Sequence, residues 1–257
     1  MPDDARQPAI FIGHGSPMNI VADNSYTRDL ETLGTALAKP RAVLVVSAHW
    51  TTHGFSVGSD ETNVTIHDFW GFPNELYERR YPAPGAPDVA QRVVELTSGV
   101  VQPAERGLDH AAWAPLIRVW PSADVPVLEL SIDLTEPAAD HYALGRLLAP
   151  LRDEGVLVMG SGNIVHNLRA IDWDEGAAPF DWAVEFDAFV AGAVAGRRHQ
   201  DLVDYLRHPL GAMAAPTPDH YLPLLYVLAA QAQGEDVTTL HAGIQHGSVS
   251  MRCLQVG

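Results

Sequence analysis

The chain has 257 residues, of which 47% are hydrophobic and 19% are charged, a composition that supplies a hydrophobic core and excludes an intrinsically disordered protein. The 16 basic and 32 acidic residues give a formal net charge of −16, which predicts that the protein binds neither nucleic acid nor an anionic membrane surface. No apolar run approaches the ~18 residues that a transmembrane helix requires.

The N-terminal sequence and the cysteine content indicate the cellular compartment in which the protein is expected. The opening sequence MPDDARQPAIFIG has no long apolar run after a basic region and is not expected to be a signal peptide. A single cysteine, Cys253, excludes an intramolecular disulfide and a metal site built from cysteines. A cytoplasmic protein is therefore expected. Because no repeat or low-complexity linker divides the chain, one domain is predicted over residues 1–257.

Strands and helices are predicted to alternate along most of the chain. Short apolar runs predict buried strands at 8–13, 41–48, 125–132, 155–160, 237–245 and 248–256. Helices are predicted at 27–38, 86–97, 110–119, 137–153, 180–196 and 217–232, with a short helix that follows residue 163 and runs through Leu168. Residues 51–85, rich in Gly, Pro, Asn and aromatic side chains, are predicted as a long structured excursion. The alternation is typical of an α/β fold with a mostly parallel sheet covered by helices on both faces.

Twelve histidines are many for a chain of this length, and three of them follow apolar strands. His14 and His49 end predicted strands, and His166 lies just past a third, on the first turn of a predicted helix. Ligands bind outside the carboxyl ends of parallel strands, and unrelated structural histidines have no reason to share that edge. We therefore expect a ligand or metal site there. His110 and His220, each near the start of a predicted helix, are further candidates.

The local contexts of these histidines narrow the chemistry. Asn163 and Asn167 flank His166 and are expected to orient its ring. The chain has no HExxH motif, which excludes a common class of zinc hydrolase. Ser16 and Ser161 lie outside any GxSxG motif, and Ser161 is interpreted as a turn residue rather than a nucleophile. A hydrolase in which zinc activates water at the same histidines stays open.

Aromatic residues concentrate in the sequence IHDFWGFP. Phe69, Trp70 and Phe72 either form a wall against a flat substrate ring or pack as ordinary core, and the sequence leaves both interpretations open. The remaining histidines are interpreted as mostly surface or loop residues: His53, His67, His141, His199, His208, His241 and His246.

Six motifs occur in order along the chain: GHGSPM, SAHW, IHDFWGFP with YPAPG, GLDHAAWAPL, SGNIVHNLR and PTPDHYLPLLYVLAA. Together they resemble the class III extradiol ring-opening dioxygenases of the LigB-like superfamily and, within it, the 4,5-DOPA dioxygenase family. The resemblance runs from about Pro8 to the closing GSVSMRCLQVG. It implies a single α/β domain with a mixed, mostly parallel central sheet flanked by helices, of the LigB-like, phosphorylase/hydrolase-like type. The implied reaction inserts O2 into a catechol ring and opens it to a muconate semialdehyde-type product.

The same resemblance implies roles for five histidines. His14, His49 and His220 would hold one divalent metal, Fe(II) for oxygenase activity or Zn(II) as the bound ion. His166 would be the acid/base residue or a fourth ligand, and His110 would lie on the oxygen side of the site. The implied partners are a small catecholic substrate and O2, and the protein would be a monomer or a homodimer.

The third ligand departs from the wider superfamily, whose protocatechuate-cleaving members resemble a two-His-one-carboxylate site. Asp219 is adjacent to His220, but neighbours on a helix point about 100° apart, so Asp219 is not expected to replace it. Three neutral imidazoles leave the charge of the metal uncompensated, which favours an anionic catecholate. The same set suits zinc, which has no redox chemistry, so a zinc-only form is not expected to oxygenate.

Two other classes of function remain at this point. A zinc-dependent hydrolase would turn over without O2. A non-enzymatic binding module would be expected to lose ligands or the acid/base position, whereas this chain keeps His14, His49, His166 and His220. The sequence identifies no arginine that would meet the carboxylate of DOPA.

Overall fold

The computed structural model describes residues 6–174 and 176–257. The opening sequence, from which the absence of a signal peptide is expected, lies partly outside the described residues. The prediction of one domain over residues 1–257 likewise extends beyond them. Within the described ranges, no helix is both long enough and apolar enough to span a bilayer.

The described residues form ten strands and nine α-helices. The strands are β1 (Ala9–Gly13), β2 (Ala42–Thr51), β3 (Phe55–Gly58), β4 (Val101–Ala104), β5 (Val127–Ile132), β6 (Val156–Gly162), β7 (Val237–His241), β8 (Ile244–Gln245), β9 (Val249–Ser250) and β10 (Cys253–Val256). The helices are α1 (Ser25–Ala36), α2 (Asn74–Glu78), α3 (Pro87–Leu96), α4 (His110–Val119), α5 (Ala138–Leu148), α6 (Asp181–Ala195), α7 (His199–Val203), α8 (Gly211–Ala214) and α9 (Leu222–Ala229).

Eight of the strands form one mixed sheet in the order β4-β3-β5-β2-β6-β1-β10-β7. The four strands β5, β2, β6 and β1 are mutually parallel, whereas β10 and β7 continue the sheet in antiparallel fashion and β3 pairs antiparallel with β5. The short strands β8 and β9 form a separate hairpin. The sheet confirms the predicted α/β class, and its parallel centre brings the carboxyl ends of β2, β6 and β1 to one edge.

Strand β2 shows why the sequence of a central strand begins as a continuous apolar run. Leu44 and Val46 belong to the core on the face that α9 covers, and Val43 and Val45 belong to the core on the face that α4 covers. Since both faces are covered here, positions 42–46 are all apolar, and the alternation of a half-exposed strand is lost. Burial of each such side chain contributes about 1.5–3 kcal/mol.

The prediction of a short helix that follows residue 163 and runs through Leu168 is wrong. The backbone of this segment pairs with distant parts of the chain instead of with itself. The N–H of Asn163 donates to the carbonyl of His220, the N–H of His166 donates to Ala214, and the carbonyl of Val165 accepts from Ser250. Because these long-range partners satisfy the backbone groups, the bonds between residues four apart that define a helix do not form.

Other predicted elements also differ from the structure. The helix predicted over 217–232 is confined to α9, because residues 217–221 form a turn before Pro223 in the first helical turn. The two C-terminal strands predicted at 237–245 and 248–256 are each broken into two. In addition, the predicted excursion at 51–85 contains the strand β3 and the helix α2.

A buried arginine connects the two ends of the described chain. Arg152 has no exposed surface and forms an ion pair with Glu235. Its guanidinium also donates hydrogen bonds to the carbonyl oxygens of Gln7, Ala230 and Val256. Burial by itself raises the pKa of Glu235, but hydrogen bonds led by those from Arg152 outweigh it and lower the pKa to about 2. The folded chain therefore favours the ionised carboxylate.

Glu235→Gln should lower the free energy of unfolding at pH 7 by about 2–4 kcal/mol, because the buried charge of Arg152 loses its carboxylate. The wild-type pair contributes fully above the ordinary pKa of 4.5 and loses its contribution as the pH falls toward about 2. In urea unfolding, the difference between the two proteins should therefore shrink from pH 7 to pH 2.5. Glu154→Gln, which removes the partner of Arg92 at the surface, is the control and should cost at most about 1 kcal/mol. Equal losses in both variants would contradict the prediction.

Candidate metal centre

Three imidazoles meet at the carboxyl edge of the parallel strands. His14 follows β1 directly, His49 lies in β2 two residues before its end, and His220 lies in the turn before α9. The ring centroids are 5.2 Å apart for His14 and His49, 5.2 Å for His14 and His220, and 4.9 Å for His49 and His220. One ligand nitrogen from each ring lies within 4.8 Å of the other two. The three side chains therefore fit a single metal ion.

Close backbone contact brings His220 to the end of β6. The backbone N–H of Asn163 donates to the carbonyl of His220 at 2.8 Å. A Cβ atom at Gly162 would lie 2.1 Å from that carbonyl oxygen, so only glycine allows the approach. Gly15, with φ +61°, turns the chain immediately after His14. The glycines of the motifs GHGSPM and SGNIVHN are thus required by the backbone that carries the histidines.

Hydrogen bonds to protein acceptors orient the rings of His14 and His220. The hydroxyl of Ser161 donates to the carbonyl of Ala111 and so accepts from Nδ1 of His14. Nδ1 of His220 donates to the carboxylate of Asp219. In both rings the proton is on Nδ1, which leaves the lone pair of Nε2 free to bind a metal.

The carboxylate of Asp68 contacts the rings of two histidines. One of its carboxylate oxygens, Oδ2, lies 2.9 Å from Nδ1 of His110 and 3.1 Å from Nδ1 of His49. The buried Nε2 of His49 has no hydrogen-bond partner in the described part of the chain. A buried polar nitrogen without a partner is costly, and a metal ion bound by the three histidines would supply the missing contact.

The electrostatics of the cluster favour neutral imidazoles at two ligand positions. Burial, followed by the neighbouring histidines, lowers the pKa of His14 and of His220 well below the ordinary value. Burial also lowers the pKa of His49 by itself, but the carboxylates of Asp68 and Asp109 outweigh it and raise the pKa. Neutral rings are the form that binds metal ions.

A buried charged cluster holds β2 and α4 in place behind the histidines. Asp109 and Glu129 are both buried, and Arg106 bridges their carboxylates at 2.9 Å and 3.1 Å. Asp109 also accepts from the hydroxyl of Ser47 and caps the N-terminus of α4, the helix that His110 opens. The backbone N–H of His49 donates to that same hydroxyl. The cluster therefore positions both His49 and His110.

His166 differs from the other histidines of the site. Its ring stacks on that of His220, with centroids 3.5 Å apart and an angle of 9° between the planes. Within the described residues, no side-chain hydrogen bond holds its ring. The prediction that Asn163 and Asn167 orient it is wrong, because their amide groups donate to the carbonyls of Ser250 and Met213. His166 also lies outside any helix, in an isolated bridge to β9.

A cavity of about 750 Å³ opens onto the histidines. Its lining includes His14, His49, His110, His166, His220, the loop residues Phe69, Trp70 and Phe72, and Arg169, Trp173 and His246. His67 is not among the lining residues; its Nε2 lies 3.0 Å from the carbonyl oxygen of Arg79. The three aromatic residues of the sequence IHDFWGFP thus border the cavity, and Phe69 also belongs to the buried core.

Several sequence-based assignments need correction. Asp219 and His220 precede α9 rather than lying on a helix, and the carboxylate of Asp219 reaches Nδ1 of His220. Ser161 lies in β6 rather than in a turn. His141 is a buried core residue between the hydroxyl of Tyr226 and the carbonyl of Asp133, not a surface residue. His246 lines the cavity.

The sequence reasoning also missed Asp68, Asp109 and Arg106 altogether. Asp68 lies next to the aromatic run, and Asp109 directly precedes His110. For Asp109 the sequence contained one signal, an acidic residue beside the candidate His110. It contained none for Asp68, whose neighbour His67 was not a candidate, and none for Arg106.

The fold and the site define a class of α/β enzymes that carry a histidine cluster at the carboxyl edge of a parallel sheet. A family model described as the catalytic LigB subunit of aromatic ring-opening dioxygenase matches residues 8–252. The 4,5-DOPA dioxygenase extradiol of Escherichia coli K12 is 48% identical, with 98% of this chain and 95% of that protein covered. That of Beta vulgaris is 37% identical, with 96% of each covered. A crystal structure of an uncharacterized E. coli K12 protein matches with a TM-score of 0.87 and 45% identity, over 98% of this chain and 100% of that one.

The chain therefore belongs to the LigB family of aromatic ring-opening dioxygenases. This confirms the predicted family, the mixed α/β fold and extradiol cleavage of a catechol ring, and it does not favour the hydrolase. Membership of this family implies that the protein acts on a catecholic substrate together with O2. The histidine-rich site fits a divalent metal.

Arg106→Gln should lower the free energy of unfolding at pH 8 by about 3–5 kcal/mol, because the buried carboxylates of Asp109 and Glu129 lose the charge between them. Burial and the nearby Asp109 raise the pKa of Glu129, so this carboxylate takes up a proton as the pH falls. The deficit of the variant should therefore be smaller at pH 5 than at pH 8. Urea unfolding at the two pH values measures both effects.

Arg28→Gln is the control for this comparison, because its ion pair with Asp23 is exposed. It should change the free energy of unfolding by at most about 1 kcal/mol at either pH. A deficit of Arg106→Gln that is as small as that of the control, or that grows toward pH 5, would refute the assigned role of the cluster.

Proposed function

We propose that the protein cleaves a DOPA-like catechol at a single divalent metal ion held by His14, His49 and His220. The observation that carries the proposal is that the imidazole rings of these three histidines bring one nitrogen each to a common point beside one cavity. Two of them have their Nδ1 protons committed to protein acceptors, and the Nε2 of His49 is buried without a partner. Three imidazole nitrogens suit Zn(II) and Fe(II) alike.

The proposed resident ion for catalysis is Fe(II). Fe(II) would exchange electrons with a catecholate and O2, whereas Zn(II) has no redox chemistry. The protein's own residues bind and orient the substrate ring, exclude water and move protons. Phe69 and Phe72 are proposed to form the wall against which the ring packs, since both border the cavity, Phe69 packs against the ring of His110, and Phe72 packs against Phe69.

His166 is proposed to take a proton from a catechol hydroxyl and to return it when the ring opens. Burial lowers the pKa of its ring to about 4, so the ring is neutral at pH 7 and can accept a proton. The carboxylate of Asp219 acts in the opposite direction and favours the imidazolium that forms. The ring is also free of side-chain hydrogen bonds to the described residues, which suits a group that must exchange protons.

His110 is proposed to hold a second proton on the oxygen side of the site. Its ring lies beside His49, at a centroid distance of 4.1 Å, whereas His166 lies beside His220. Asp68 binds Nδ1 of His110, so Nε2 is the proton-accepting atom. A proton taken up there would be stabilised by the carboxylate of Asp68 behind the ring.

The protein stripped of metal and reloaded anaerobically should consume O2 with L-DOPA or catechol when it contains Fe(II), and should not do so when it contains Zn(II). An oxygen electrode and the visible absorbance of a yellow ring-opened product measure the reaction. Protocatechuate is included to rank the substrates. Hydrolysis of esters or amides by the zinc form without O2 uptake by the iron form would overturn the proposal.

His166→Ala should lower kcat for L-DOPA by at least about 100-fold, because general acid–base groups contribute factors of about 10²–10⁴. If His166 moves protons, the variant retains its metal, as measured by elemental analysis. If it is a fourth ligand, metal affinity falls as well. His53→Ala, which replaces an exposed histidine outside the cavity, is the control and should keep full activity. Full turnover by the His166 variant would remove this residue from the mechanism.

A further inference from the structure

The cavity is larger than the ring that reacts in it. Its volume of about 750 Å³ lies within the range of about 300–1,000 Å³ seen for pockets that bind drug-sized ligands. A bare catechol has only eight non-hydrogen atoms. With the ring at the histidines, the cavity leaves space for a substituent that extends toward the opening.

Exposed apolar side chains line this opening. Trp70 is 83% exposed, Trp173 is 73% exposed and Leu168 is 56% exposed, and all three line the cavity. Single exposed apolar side chains are common on protein surfaces, whereas a group of large ones around one opening marks a binding site. The two indole rings offer flat faces for a side chain that leaves the cavity.

A positive charge lies among these residues. Arg169 is the only arginine or lysine among the cavity-lining residues that the structure describes. Its side chain is exposed and makes no ion pair with a described residue, whereas the two lining aspartates, Asp68 and Asp219, are each bonded to histidine rings. The guanidinium is therefore available to an anion.

The loop that carries Arg169 is fixed by hydrogen bonds. The side chain of Asn167 accepts from the N–H of Arg169 at 3.1 Å and donates to the carbonyl of Met213 at 2.8 Å. The N–H of Asn167 in turn donates to the carbonyl of Ser248. These bonds hold the backbone of Arg169 at the rim. On a chain of net charge −16, an anionic ligand needs such a local cation.

We infer that Arg169 binds a carboxylate on the side chain of the catechol substrate, with Trp70 and Trp173 packed along that side chain. The inference rests on the proposed function and assigns to Arg169 the recognition of the side-chain carboxylate of such a substrate. A planar guanidinium pairs with a carboxylate through two parallel hydrogen bonds.

The experiment compares Arg169→Gln, Arg169→Lys and the wild type in the iron-loaded full chain. The substrates are L-DOPA, 3-(3,4-dihydroxyphenyl)propionate, dopamine and catechol. Arg169→Gln should raise KM about 5- to 20-fold for the two carboxylates, a range between that of an exposed ion pair and that of a charged hydrogen bond. KM for dopamine and catechol should change less than twofold, and kcat should stay constant for all four. Arg169→Lys should recover part of the loss.

Arg207→Gln is the matched control, because Arg207 is 83% exposed and lies outside the cavity lining. It should leave all four KM values unchanged. An equal rise of KM for substrates with and without a carboxylate, or no rise for either, would overturn the inference.

A binding measurement separates this inference from the proposed function. Anaerobic titration of the zinc-loaded chain with 3-(3,4-dihydroxyphenyl)propionate should show a Kd that is 5- to 20-fold higher in Arg169→Gln than in wild type, with no such difference for catechol. If the iron form oxidises no catechol, the proposed function fails and the titration alone decides the role of Arg169. If neither ligand binds, or if both lose affinity equally in Arg169→Gln, the inference fails as well.

Discussion

The site depends on one constraint: each imidazole must place one nitrogen against a protein acceptor before its other nitrogen can face the centre. Ser161, Asp219 and Asp68 are these acceptors, and they come from β6, from the turn before α9 and from the loop after β3. A histidine whose acceptor was lost would be free to rotate or to take up a second proton. The sheet edge, the turn and the loop must therefore all be correctly placed for the rings to converge.

The charged groups behind the rings are arranged in two layers. Asp68 and Asp219 contact the imidazoles directly, whereas Asp109, Glu129 and Arg106 lie behind the backbone of β2 and α4. Every carboxylate oxygen of the deeper layer accepts from an N–H or O–H donor. That layer fixes two backbone segments without contacting an imidazole, and the charge of Asp109 also helps to raise the pKa of His49.

Much of the fold could be predicted because its signals are local. The apolar run of β2 and the helical spacing in α1 and α4 depend on nearby residues, and the strand ends placed His14 and His49 correctly. The segment after β6 could not be predicted, since its backbone partners lie near residues 214, 220 and 248–250. For the same reason, the residues alone made His220 no more than a further candidate, and its role as a ligand came only from the family resemblance. Nothing in the sequence indicated that Asp68 faces two histidines.

The position of the aspartates changes the expected charge of the site. Three neutral imidazoles alone would leave the double charge of a divalent ion without compensation. In the proposed site, the carboxylates of Asp68 and Asp219 stand one hydrogen-bonded ring away from the ion and make His49 and His220 stronger donors. The carboxylate missing from the ligand set is thus replaced by two carboxylates behind it. An anionic catecholate is then held less by uncompensated charge than by the shape of the cavity, which makes contacts at the rim more important for choosing the substrate.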